Sequence, residues 1–210
     1  MRDEFIDAVM KSCAEFMPSD DEWQVWCQAF LVAAACRESS LDVEYIDDWD
    51  PTNPTVVLLQ VDFYFSVQEF DDFGNKAVLA RCGCEWPDFC SVNWDNDAWD
   101  WVDWMQDVYC NVAVGSWYYF RNATTNGGPD ACFVECACQG DGTPANLAIG
   151  MLSHFAGPAA ALNLFMSGDY EEHTYYTWIK EWFDAMITPT PNPHPFLREL
   201  QPNTSQFCGN

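Results

Sequence analysis

The stretch Phe30-Leu31-Val32-Ala33-Ala34-Ala35-Cys36-Arg37-Glu38-Ser39-Ser40 decides how the chain is read. Its first seven residues are apolar and cover every face of a helix, so that helix must be surrounded by protein. The run is too short for the roughly 18 residues that span a bilayer. It ends abruptly in Arg37-Glu38, and a charged pair at the tip of a buried helix is costly unless it is paired or used. Pro18 breaks the preceding segment, and Ser19 or Asp20 can cap this helix, which is expected to run to about Glu38. Upstream, residues 3–16 read as a helix with Phe5, Ile6, Val9, Met10 and Cys13 at helical spacing.

Working downstream, residues 41–54 form a loop rich in Asp and Pro, and 55–63 read as a buried extended segment. A short helix is expected over 66–72 and an irregular cysteine-rich region over 82–97. One long helix is expected from Trp99 to Phe120, stopped by Thr125-Asn126-Gly127-Gly128-Pro129. Further helices are expected at 144–155, 158–166 and 172–187. The sum is a mostly α domain over 1–187 with a small β element and cysteine-rich loops. A proline-rich extension follows at 188–210.

The 210 residues carry 33 Asp plus Glu against 8 Lys plus Arg, for a net charge of -25. That balance argues against nucleic acid, whose phosphates need basic partners, and against an anionic membrane surface. It serves solubility, or it points to a neutral or cationic partner. The 11 cysteines imply an oxidising compartment and several disulfides. An odd count leaves one thiol free, or paired with another chain in an intermolecular disulfide. Cys82-Gly-Cys84 with Cys136-Ala-Cys138 offers four thiolates to zinc, but the spacing is not that of a common knuckle, so neither metal nor cofactor is expected. Asn122-Ala-Thr and Asn203-Thr-Ser are sequons, in keeping with secretion. Met1-Arg2-Asp3-Glu4-Phe5 does not read as a signal peptide, which leaves a processed chain or a virus particle as the alternative source.

Three segments carry chemistry in order. They are Arg37-Glu38-Ser39, then Leu58-Leu59-Gln60-Val61-Asp62, then Leu152-Ser153-His154-Phe155-Ala156-Gly157 followed by His173-Thr174-Tyr175-Tyr176. Together they resemble the goose-type lysozyme and soluble lytic transglycosylase superfamily, glycoside hydrolase family 23. Its patterns are R-E-S, W-G-D, G-L-M-Q-V-D, I-S-A-Y-N-A-G and H-D-D-Y. Trp49 falls in step with the tryptophan of the second pattern, whose acid would align one residue after Asp50, on Pro51, and the Glu38-to-Asp62 spacing looks like the family's. Val57 stands where the family has glycine, Phe155 stands where it has Tyr, and its Asn is either replaced by Ala156 or deleted. The resemblance spans roughly residues 20–187.

The resemblance implies a lysozyme-like fold and hydrolysis of a β-1,4-linked amino-sugar polymer, peptidoglycan by default, while the negative charge would suit chitin or chitosan. Cleaving a glycosidic bond needs an acid for the leaving oxygen. Glu38 is expected in that role, because burial at a helix end disfavours the charged form of a carboxyl. A second carboxylate holds the attacking water; Asp62 is the first choice and Asp50 the second. Ser39, Trp49, Gln60, Phe155 and Tyr176 are the expected substrate-binding residues. The partner is then a polysaccharide, and the setting secreted. Two rivals share the fold: a non-catalytic structural protein of a virion or secreted assembly, and a carbohydrate-binding module.

Overall fold

The computed structural model describes residues 2–16, 21–42, 46–47, 55–62, 76–85, 98–127 and 145–187. The chain is mostly α with a small antiparallel sheet. In order come α1 (Arg2–Phe16), α2 (Asp21–Ser39), β1 (Ile46–Asp47), β2 (Thr55–Val56), β3 (Val61–Asp62), α3 (Lys76–Cys82), α4 (Ala98–Met105) and α5 (Val108–Gly127). Then follow α6 (Ala145–Ala156), α7 (Pro158–Ser167), a 3-10 turn (Asp169–Glu172) and α8 (Thr174–Ile187). Contacts group the chain into two compact units. One is Met1–Phe16 with Ala34–Trp117; the other is Met17–Ala33 with Tyr118–Asn210.

In the first unit, α1 packs on α3, burying Phe5, Ala8, Val9 and Cys13 together with Leu79 and Cys82. Arg81 of α3 forks onto the Glu15 carboxylate through Nε and Nη2, both at 2.8 Å. The segment read as one helix over 99–120 is two helices. Asp107 breaks it, because its Oδ1 accepts from the backbone N–H of Tyr109 (2.9 Å) and of Cys110 (3.1 Å) and so caps α5. A disulfide joins Cys84 to Cys110 in the first turn of α5. With Cys84 oxidised, the four-thiolate zinc arrangement loses a ligand.

The extended segment read over 55–63 is instead a hairpin. β2 pairs with β1 and β3 on either side, placing Thr55 opposite both Asp47 and Asp62, and Val56 opposite both Ile46 and Val61. Its turn, Val57-Leu58-Leu59-Gln60, is buried throughout. Helix α3 has no counterpart in the sequence reading. The short helix expected over 66–72, most of the cysteine-rich region and the extension from 188 lie outside the described residues.

In the second unit, Phe30 of α2 meets Tyr119 edge-on at 5.3 Å and Phe120 at 5.9 Å. Helix α6 packs on α7 and α8, burying Met151, Leu152, Ala161, Ile179 and Phe183. Gly157, at φ 81°, ends α6 and turns the chain into α7, a left-handed position that suits glycine. All of α2 from Ala29 to Cys36 is buried, as its sequence requires.

Cys13 and Cys27 are also disulfide-bonded. Such bonds fit an oxidising environment. The free thiols among the described residues, Cys36 and Cys82, are buried, so neither presents itself to a second chain. Cys90, Cys132, Cys136, Cys138 and Cys208 lie outside the described residues. No helix among the described residues is long and apolar enough to cross a membrane.

Candidate active site

Helix α2 ends at Ser39, and the chain turns through two consecutive left-handed residues, Ser40 (φ 56°) and Leu41 (φ 64°). Their N–H groups reach back to Cys36 O (3.2 Å) and Ala35 O (3.4 Å), satisfying carbonyls that a helix end leaves open. Glycine ordinarily fills such positions, and other residues lose about 1–2 kcal/mol there. This turn begins two residues after Glu38, which with Arg37 is half-buried.

The β2–β3 turn is strained in the same way. Val57 has φ 63° and Gln60 φ 46°. A β-branched residue at positive φ is a genuine outlier. The Gln60 N–H closes the turn onto Val57 O (3.2 Å), and its Nε2 donates to the same oxygen at 2.9 Å. Thr55 Oγ1 donates to Gln60 Oε1 at 2.6 Å. From α5, the fully buried Asn111 accepts from the Leu59 N–H (3.0 Å) and donates through Nδ2 to Val56 O (2.8 Å). A buried loop needs such partners for its backbone groups.

One side chain ties the two strained segments together. Ser39 Oγ lies 3.2 Å from Ala35 O in its own helix and 3.3 Å from Leu58 O at the hairpin tip. The end of α2 that carries Glu38 is thereby fastened to the hairpin that ends in Asp62, a carboxylate only 8% exposed. Ser40, Leu41, Val57 and Gln60 are the non-glycine residues of positive φ among those described, and all four lie in these two segments.

The sequence-expected residues are distributed as follows. Ser39, at the end of the helix that bears Glu38, reaches Leu58 O of the hairpin that carries Gln60 and Asp62. Ser39 and Gln60 are buried, 6% and 7% exposed, and their polar atoms are spent inside the junction. Trp49 and Asp50 lie outside the described residues. Phe155 and Tyr176 belong to the second unit. Phe155 is 57% exposed at the end of α6, its ring stacked on Tyr175 at 5.0 Å and meeting His173 edge-on at 5.3 Å. Tyr176 is buried, its ring edge-on to Tyr170 at 5.3 Å. Tyr175 shares a hydroxyl contact of 3.2 Å with Tyr119, whose ring lies 4.7 Å from His154.

Sequence reasoning missed Asn111. The signal was a single polar side chain inside the apolar run Cys110-Asn111-Val112-Ala113-Val114. No cluster of three or more metal-ligating side chains occurs among the described residues. No family model, curated protein or solved structure matches the chain.

Proposed function

We propose that this chain is a glycoside hydrolase that cleaves β-1,4 linkages in an amino-sugar polymer, with Glu38 as the general acid. The observation that carries the reading is the strained junction between the end of α2 and the β2–β3 hairpin. Left-handed non-glycine residues cost energy and persist where the surroundings hold them, and such strain gathers at functional sites. Here it flanks both carboxyls that the reading employs. The resemblance to goose-type lysozymes draws support from the same place: Val57 has φ 63° where that family's pattern has glycine.

In this reading Glu38 protonates the leaving oxygen and Asp62 holds the attacking water. Single displacement needs the two carboxyls about 6.5–9.5 Å apart. The reading makes the fold lysozyme-like, and the disulfides suit a secreted enzyme. A charge of -25 suits chitin, which is neutral, or chitosan, which is cationic, better than an anionic cell wall.

The test is a reducing-sugar assay on chitin, chitosan and peptidoglycan, from acid to mildly alkaline pH, with Glu38→Gln alongside. Loss of a general acid is expected to lower turnover by about 10²–10⁴-fold. Undiminished turnover in Glu38→Gln removes that residue from the mechanism. No turnover by the unsubstituted chain on any of the three polymers overturns the enzyme. The exposed Phe155, backed by Tyr175, favours a second reading as a carbohydrate-binding module, because aromatic rings stack on sugar faces. Glycan binding without turnover selects that module.

A further inference from the structure

We infer that Asn111 is a positioning residue for the proposed hydrolysis, holding the hairpin that ends in Asp62 in a conformation its own sequence does not favour. The inference rests on the glycosidase reading above. Val57-Leu58-Leu59-Gln60 contains no glycine, proline or asparagine to make its turn, yet Val57 and Gln60 both take positive φ. Gln60 and Thr55 brace it from within, and neighbouring elements hold it from outside. Asn111 does so from α5, fully buried, with one hydrogen bond to each side of the tip: Nδ2 to Val56 O at 2.8 Å and Oδ1 from the Leu59 N–H at 3.0 Å. The donor and acceptor of one amide match one acceptor and one donor of the turn, a pairing that no apolar side chain and no carboxylate reproduces. Val61 and Asp62 follow the tip directly, so the Asp62 backbone is placed by where Asn111 holds the turn. Being buried, Asn111 has no surface to offer a sugar. Its loss therefore acts on the geometry of the reaction and not on substrate contact.

Two variants test this. Asn111→Leu removes both bonds. Asn111→Asp restores the pairing only while its carboxyl is protonated, when the O–H donates to Val56 O and the other oxygen accepts from the Leu59 N–H. Ionised, it sets a charge against the Val56 carbonyl. For Asn111→Leu we expect faster hydrogen exchange at the Leu59 amide with α8 amides unchanged. We also expect kcat lower by about 100-fold, the scale of a small misplacement in an active site, with KM little altered. For Asn111→Asp, the kcat ratio to the unsubstituted chain falls as pH rises, a dependence that a merely structural residue would not impose on folded protein. If Asn111→Leu does not fold, the acid limb of Asn111→Asp carries the test. Unchanged protection of Leu59 in Asn111→Leu overturns the clamp. A freed Leu59 amide with undiminished kcat overturns positioning. If the unsubstituted chain lacks turnover, the glycosidase reading falls together with the catalytic use of the clamp, while Leu59 exchange still decides whether Asn111 holds the turn.

Discussion

Cys36 is the last apolar residue before Arg37-Glu38, and burial pushes its thiol up from 9.0 to about 12. The same cause raises Cys82 to about 11, on α3. Unfolding returns both thiols to water, where they ionise near the ordinary value. The folded chain therefore holds these protons more tightly than the unfolded one. Their contribution to stability is complete below the unfolded pKa and is lost as pH rises from there through the folded values. Between about pH 8 and about pH 10 the loss is about 1 kcal/mol per thiol. Urea unfolding at the two pH values is expected to show it, and Cys36→Ala is expected to reduce the alkaline fall by about 1 kcal/mol. An equal fall in both proteins sinks this account. Neighbouring Ser39 shows how far single residues were legible. Its place after Glu38 is plain from the motif, but the partner of its hydroxyl is not. A hydroxyl beside an acid looks like a sugar contact, and only the fold reveals that Leu58 O stands 3.3 Å away to receive it.

At the scale of elements, α5 accommodates the hairpin by omitting a side chain. Gly115 sits in the helix interior, where glycine costs about 1 kcal/mol relative to alanine. A Cβ at that position would stand 2.7 Å from Leu59 Cδ1, 2.9 Å from Leu59 Cβ and 3.3 Å from Val61 Cγ2. The Leu59 Cβ cannot swing away, because the Leu59 N–H is tied to Asn111. Gly115→Ala is thus expected to destabilise by about 1–3 kcal/mol despite its better helix propensity. Urea denaturation measures this, and a stabilised Gly115→Ala would show that the hairpin does not press on the helix. The same contact explains what the sequence hid. Helices α1, α2, α6, α7 and α8 were legible because their apolar spacing is local. The buried turn was not, because Val57-Leu58-Leu59-Gln60 reads as strand, and the forces that bend it come from α5, tens of residues away. Asp107 hid a helix cap inside what looked like continuous periodicity.

On the scale of the whole molecule, charge is the dominant sequence fact, and 8 cations against 33 acids leave an excess that no set of ion pairs can cancel. The described ion pairs Lys11–Asp7, Arg81–Glu15 and Lys180–Asp184 each set one of 8 cations against one of 33 acids. All three involve side chains with substantial exposure, and such pairs contribute roughly 0–1 kcal/mol each. The excess acids repel one another, and that repulsion is reduced when the chain unfolds and the charges move apart. Salt screens attraction and repulsion alike, with a Debye length of about 30 Å at 0.01 M and about 3 Å at 1 M. At -25 the repulsive pairs far outnumber the attractive ones, so screening has a definite sign. The melting temperature is expected to rise with sodium chloride over that range, most steeply at its dilute end where the Debye length changes most. Thermal unfolding followed by circular dichroism at matched pH measures it. A melting temperature that falls with salt would mean that the three ion pairs, and any others, outweigh the net charge.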